Sequence, residues 1–398
     1  MAATETLNLT PVERLASLAA VIAASFGVGV SFGVGYPLTA LTLEGWGEPT
    51  WVIGVAGASP AVATILVLPF APRVLSRLGP VKSIALGCAI ASLGFLALGL
   101  LSSAWPWIAV RLIMSAGVAI PWLVGETWIN LVARDETRGR VIACYAIAFF
   151  SGFSLGPLAL GWLGIAGWPA FVFGAVGAAL AGVPILLARR LAPDVATCHS
   201  RSPLAAIRLA PVAMAGAFIG GFSEMTYLSL IPNVGLAGGL TQSDALSLLS
   251  AMTIGGFAAQ LPIGWLADRL PRLSILYGLA AAFVALSLVL PLALSHATAA
   301  LGIAFLIGAV ILGFYTIGLT IIGETVPADD LAAANAGYIV MYQTGATLGP
   351  VAAGVAMTAH PVAGFVATVV ALMIASTVAV AVLRARRPAA SAPEYGAD

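Results

Sequence analysis

Charge is what this sequence has least of. Asp, Glu, Lys and Arg make up 8% of its 398 residues, where a water-soluble domain carries about 25%. That scarcity excludes a soluble globular fold, because an apolar fraction of 61% could not be hidden behind so few ionised side chains. The net charge of +1 gives no reason to expect a nucleic acid or any polyanionic partner. Histidine is almost as scarce: His199, His296 and His360 fall in loops or at helix ends, without the spacing of a metal site or a base and nucleophile pair. The sequence therefore does not read as an intramembrane enzyme, and no metal or cofactor is expected. Cys88, Cys144 and Cys198 have neither paired nor metal-like spacing and read as small apolar residues. A Gly-rich phosphate loop followed by Lys and Ser or Thr is also missing, which makes a gradient rather than ATP the expected energy source.

What is there instead is apolar sequence in runs of about twenty residues, the length that crosses a bilayer as a helix. The runs predict twelve spans, at residues 15–42, 51–72, 83–102, 106–132, 141–163, 167–188, 210–235, 243–266, 273–294, 298–325, 332–357 and 361–383. The first is too long for a signal-peptide core and reads as a retained helix. An even count puts both termini on one side of the membrane. Basic residues test the count independently, because they collect on cytoplasmic loops. With the N-terminus inside, every Lys and Arg except Arg111 falls in a cytoplasmic segment, while the outer loops carry only Glu44, Glu48, Asp244, His296 and His360. The expectation is an all-α multi-pass protein with both termini cytoplasmic.

The chain also reads as one sequence written twice. Arg77 and Arg269 follow the second and eighth spans at an offset of 192; Gly156-Pro157 recurs as Gly349-Pro350 at 193; Pro37 matches Pro232 at 195. Between the halves runs the longest polar stretch. The predicted organisation is a six-helix bundle at 1–188, a cytoplasmic linker at 189–208 and a second six-helix bundle at 209–398. Two such halves suit alternating access around a site near the midplane.

These residues resemble the major facilitator superfamily. The stretch Gly264 to Arg272, with Asp268, Arg269 and Arg272, is similar to that family's loop motif; the first-half copy keeps Arg77, Gly79 and Lys82 but has Ser76 where the family has Asp. Arg111 resembles the fourth-helix arginine of proton-coupled members, with the glycine that usually follows displaced to Gly117. Gly152 to Gly161 is similar to the fifth-helix motif of antiporters. More locally, Glu126, Trp128, Asn130, Arg138-Gly139-Arg140 and Tyr145 resemble a little-characterised bacterial branch labelled drug- or sugar-transporter-like. The resemblance implies a transporter in the inner membrane of a bacterium and assigns no substrate.

An ionisable residue inside a membrane is costly, so each is a functional candidate. Arg111, Glu126, Glu224 and Glu324 qualify. Ser115, Trp122, Glu126 and Asn130 share one stripe of the fourth helix, with Arg111 slightly offset, and the stripe is expected to face a central cavity. Arg111 and Glu126 lie 15 positions apart, roughly 22 Å along a helix, too far for a salt bridge. The expected roles are an anion-holding Arg111 near the outer part of the cavity and a proton-carrying Glu126 deeper in. The bland alternatives are an Arg111 that snorkels or bonds neighbouring helices, and a Glu126 that makes a packing ion pair with Arg77 or Arg138. Glu324 repeats the Gly-Glu-Thr of Glu126, but at an offset of 198 rather than 193. It is assigned instead to a cytoplasmic gate with Arg269 or Arg272, alongside Arg77 and Asp268. Glu224, with Tyr227 one turn on, is a second proton-site candidate.

Aromatic pairs recur at the same offset: Tyr145 with Tyr338, and Phe149 with Tyr342. They read either as two walls of a cavity for a flat or amphipathic substrate or as core packing. Tyr36 closes a Gly-rich first helix whose glycines read as close packing, and Gln343, Asn130 and Asn233 could add hydrogen bonds. The pairs Gly156-Pro157 and Gly349-Pro350 read as bending points or as passive kinks. Taken together, the sequence predicts a monomeric, proton-coupled exporter of a drug-like or amphipathic small molecule, with proton-coupled import of a vitamin, sugar or organic acid as the alternative.

Overall fold

The computed structural model describes residues 9–134, 137–193, 210–267 and 269–385. Among them twelve long helices follow the predicted spans: α1 Pro11–Gly45, α2 Thr50–Val67, α3 Ala71–Leu98, α4 Ala104–Val132, α5 Arg138–Leu163 and α6 Trp168–Leu187. The second half repeats the set as α7 Pro211–Ala237, α8 Gln242–Ala267, α9 Arg272–Ala293, α10 Ala297–Thr325, α11 Ala328–Met357 and α12 Pro361–Ala385. Ten are long and apolar enough to cross a membrane. The other two, α7 and α11, are diluted by Ser223, Glu224, Asn233, Tyr342 and Gln343, which serve the interior of the protein rather than lipid.

The span boundaries need one correction. The charged stretch around Arg73 and Arg77 is not a loop: α2 ends at Val67, and α3 starts at Ala71 and runs through both arginines. It turns at Gly79, whose φ of 73° is open to glycine at little steric cost, and Pro80 then restarts the helix. Charge marked the water boundary there, not the end of the helix. Of the predicted linker, Arg189–Leu191 forms a short 3₁₀ turn, and the part from Asp194 on lies outside the described residues, as do Cys198 and Asp268. Cys88 is buried as expected, whereas Cys144 is exposed on α5.

Lipid supplies no hydrophobic force between helices, so close backbone packing through small residues must hold them together. That packing is duplicated. On α1, a Cβ at Gly29 would strike the carbonyl of Phe149 on α5; on α7, a Cβ at Gly221 would strike the carbonyl of Tyr342 on α11. In the return direction Gly152 abuts the carbonyl of Phe26, and Gly345 that of Phe218. Each α1 residue lies 192 positions from its α7 counterpart and each α5 residue 193 from its α11 counterpart, so the two six-helix bundles use the same contacts twice. Gly156 and Gly349 sit at these crossings as well. Both α5 and α11 run unbroken through Pro157 and Pro350.

At the end of the bundle remote from the chain termini the halves are joined. Thr50 Oγ1 donates to the carbonyl of Gly354 at 2.7 Å, and Ser250 Oγ to that of Ser154 at 3.0 Å. Asn233 Nδ2 donates to Glu44 Oε2 at 2.6 Å and reaches the Ala40 carbonyl at 3.5 Å.

Candidate functional site

A cavity of about 890 Å³ lies between the halves, within the range that holds a drug-sized ligand. Its lining runs from Tyr36 and Met225, deep between α1 and α7, to Ile142 at the start of α5 and Glu324 at the end of α10. The cavity therefore opens at the end that carries the termini. At its floor the Tyr36 hydroxyl meets Met225 Sδ at 3.1 Å.

Nine of the predicted residues line it: Tyr36, Trp122, Glu126, Tyr145, Phe149, Glu224, Tyr342 and Gln343, with Glu324 at the mouth. Glu126 and Glu224 project from different halves. Trp122, one turn before Glu126 on α4, lines the cavity beside it. The Tyr342 hydroxyl donates to Glu224 Oε2. Aromatic rings pack edge to face along the walls, with aliphatic side chains between them: Phe32 lies 5.9 Å from Phe149, Phe149 lies 5.4 Å from Phe150, and Tyr315 lies 5.4 Å from Tyr342.

Other predicted residues fall elsewhere. Arg111 is buried, 3% exposed, but outside the lining: its guanidinium faces Gly35 of α1 and stands 5.7 Å from the centre of the Tyr36 ring. Its Nε has no hydrogen-bond partner. Asn130 is exposed near the end of α4. Tyr227 faces away from the cavity, its hydroxyl 2.9 Å from Ser287 Oγ and its ring edge-on to Phe283 and Phe365. Tyr338 is buried behind the wall, donating to the carbonyl of Tyr315 at 3.0 Å and that of Phe314 at 3.4 Å. A stripe read on an isolated helix has no way to register which neighbouring helix already covers it.

At the mouth, Arg272 of α9 and Glu324 of α10 pair at 2.6 Å, joining two helices of the same half. Arg269 lies over the Trp265 ring, 3.8 Å from its centre. Arg77 is exposed on the short helix before Gly79.

Several lining residues escaped the sequence reading, chiefly Tyr315, Phe32, Met225 and the pair Gln260–Thr316, in which Thr316 Oγ1 donates to Gln260 Oε1 at 2.7 Å. A signal existed. Tyr315 lies 193 positions after Trp122, so the repeat that paired Phe149 with Tyr342 also pairs these two.

The model of the Major Facilitator Superfamily matches residues 15–232 and again 213–397. The chain belongs to this superfamily. Its relatives include the Uncharacterized MFS-type transporter YcaD of Escherichia fergusonii, 26% identical over 310 residues, covering 76% of this chain and 78% of that protein. The Uncharacterized MFS-type transporter Ent638_1421 of Enterobacter sp. (strain 638) is 27% identical over 353 residues, covering 87% of this chain and 88% of that protein. Among solved structures, a bacterial homolog of the human lysosomal transporter Spinster, inward-facing and unoccupied, superposes with a TM-score of 0.71 at 16% identity, covering 95% of this chain and 96% of that one. The nucleoside transporter NupG gives 0.71 at 15% identity, covering 93% and 98%. As a superfamily member the chain is a multi-pass secondary transporter that moves a small molecule across a lipid bilayer.

Proposed function

We propose that this transporter is a proton-coupled exporter of a drug-like or amphipathic compound. The observation that carries the reading is a pair of carboxyl groups, Glu126 and Glu224, on opposite walls of one large aromatic cavity between the halves. A carboxyl group at membrane depth is retained at a cost, and proton relays are among the functions that justify it. The cavity's opening at the terminal end, with α1, α2 and α5 joined to α7, α11 and α8 at the other, supports alternating access. In this reading residues 1–188 and 209–398 are the moving halves, 189–208 joins them, and both termini face the cytoplasm. The basic residues at that end support this orientation. The protein works as a monomer in a bacterial inner membrane, and Arg272 and Glu324 belong to the cytoplasmic gate.

The test is transport by purified protein in vesicles with an imposed pH gradient of either sign. Exchange predicts that substrate moves against the proton flow; movement with the protons would assign import of a nutrient instead. Glu126→Gln and Glu224→Gln are expected to keep counterflow while losing gradient-driven accumulation. Undiminished accumulation in both variants would remove the proton-carrying role.

A further inference from the structure

We infer that the elbow between α2 and α3 binds an anionic phospholipid, one acyl chain lying in a hollow beside α4 and the phosphate on Arg73 and Arg77. The site is separate from the transport cavity and goes beyond the carrier reading. A cavity of about 170 Å³ lies at the elbow. Its walls are Leu66, Val67 and Phe70 from the end of α2 and the turn after it, Val74 from the start of α3, and Ile120 and Leu123 from α4. The one polar residue in the lining is Ser83, and its hydroxyl already donates to the Gly79 carbonyl at 2.7 Å. No residue lines both this hollow and the large cavity. An apolar hollow of about 150 Å³ stays dry and takes an apolar guest. Leu66 and Phe70 are 54% and 57% exposed, so the hollow has apolar lips, and in a bilayer the matter that meets them is acyl chain.

Charge selects the lipid. Before the turn at Gly79 the helix is amphipathic: Ala71, Val74, Leu75 and Leu78 share one face, and Arg73 and Arg77 the opposite one. Arg73 stands between two lining residues, Ala71 and Val74, and Arg77 follows one turn on. Lys82, next to Ser83, adds a third cation. All three are exposed, and no hydrogen bond or ion pair to a described residue engages their side chains. The second half shows the contrast. Trp265 lies 192 positions after Arg73, and its ring is covered by Arg269, the counterpart of Arg77. There the cation has an internal partner, whereas in the first half two arginines stand uncovered beside an apolar hollow. Basic residues at a membrane surface draw anionic headgroups, and the hollow requires that the anion carry a chain.

The test is native mass spectrometry of the full chain in detergent, titrated with phosphatidylglycerol, phosphatidylcholine or glycerol 3-phosphate. One phosphatidylglycerol is expected to bind at least about tenfold tighter than phosphatidylcholine, because each Arg near the headgroup is worth about a fivefold factor. Glycerol 3-phosphate, a headgroup without chains, should leave no adduct. Arg73→Gln combined with Arg77→Gln should bring phosphatidylglycerol down to the phosphatidylcholine level, and Arg269→Gln should leave the preference intact. Val74→Phe fills the hollow and keeps both arginines; it should weaken phosphatidylglycerol roughly tenfold, the worth of about two methylene groups expelled from the hollow. A thermal melt of each variant separates loss of the site from loss of fold. Equal affinity for the two lipids, an undiminished preference in the folded arginine variant, or an unchanged affinity in folded Val74→Phe overturns the site. Tight binding of glycerol 3-phosphate would assign the arginines to a free phosphate and overturn it as well. None of these outcomes bears on transport, so the carrier reading stands or falls separately.

Discussion

The Tyr342 hydroxyl on α11 donates to Glu224 Oε2 on α7, three positions after Gly221, whose backbone crosses that of Tyr342. The bond therefore ties a cavity carboxyl group to a close backbone crossing of its half. Tyr342→Phe keeps the ring against Tyr315 but removes the hydrogen bond to a part-buried carboxyl group, which is worth about 1 kcal/mol. The variant is expected to melt lower than wild type. A double-mutant cycle with Glu224→Gln should be non-additive; strictly additive melting shifts would show that the pair is not coupled.

The duplicated glycine contacts predict symmetric sensitivity. Gly29→Ala should force α1 from α5, and Gly221→Ala should force α7 from α11, since each Cβ would land on a backbone carbonyl. Overpacking of this kind costs about 1–3 kcal/mol. Gly278 and Gly302 face open space, and alanine there should be neutral or slightly stabilising. Melting curves of the four variants in detergent check this; four equal curves would contradict it.

Asn233 and Glu44 hold the closed end at 2.6 Å. With the native cysteines replaced, a cysteine at Ala40, which is 1% exposed, should resist a membrane-impermeant thiol reagent added from that side. Asn233→Leu should speed labelling by opening the α1 to α7 contact. An unchanged labelling rate would mean that other contacts alone keep this end shut.

Arg272 and Glu324 are 27% and 34% exposed, so their 2.6 Å pair should contribute under about 1 kcal/mol to stability. Glu324→Gln is expected to leave the melting temperature almost unmoved and to change the transport rate. The exchange Arg272→Glu with Glu324→Arg should recover that rate. Equal rates in wild type and Glu324→Gln would exclude a gating role.

Much of the fold was legible in the residues because its signals are local. A run of about twenty apolar positions is a membrane crossing whatever surrounds it, and all twelve spans were found. The repeat could be read too, and correctly paired Phe149 with Tyr342 on the cavity wall. Periodicity then reached its limit. Trp122 and Glu126 line the cavity as their stripe predicted, yet Asn130, one turn further, emerges at the helix end. Tyr342 lines it, but Tyr338, one turn earlier, is capped by the carbonyls of α10.

By itself the sequence determined that this chain lives in lipid, crosses it as twelve helices and repeats its own plan, because hydrophobic length and self-similarity need no partner to be read. Only the tertiary structure decided which costly side chains meet. It set Arg111 behind Tyr36, freed Glu126 among aromatic rings and bound Glu224 to Tyr342. The reason is that a helix face gains its meaning from the helix packed against it, and that pairing is settled by contacts between residues far apart in the chain.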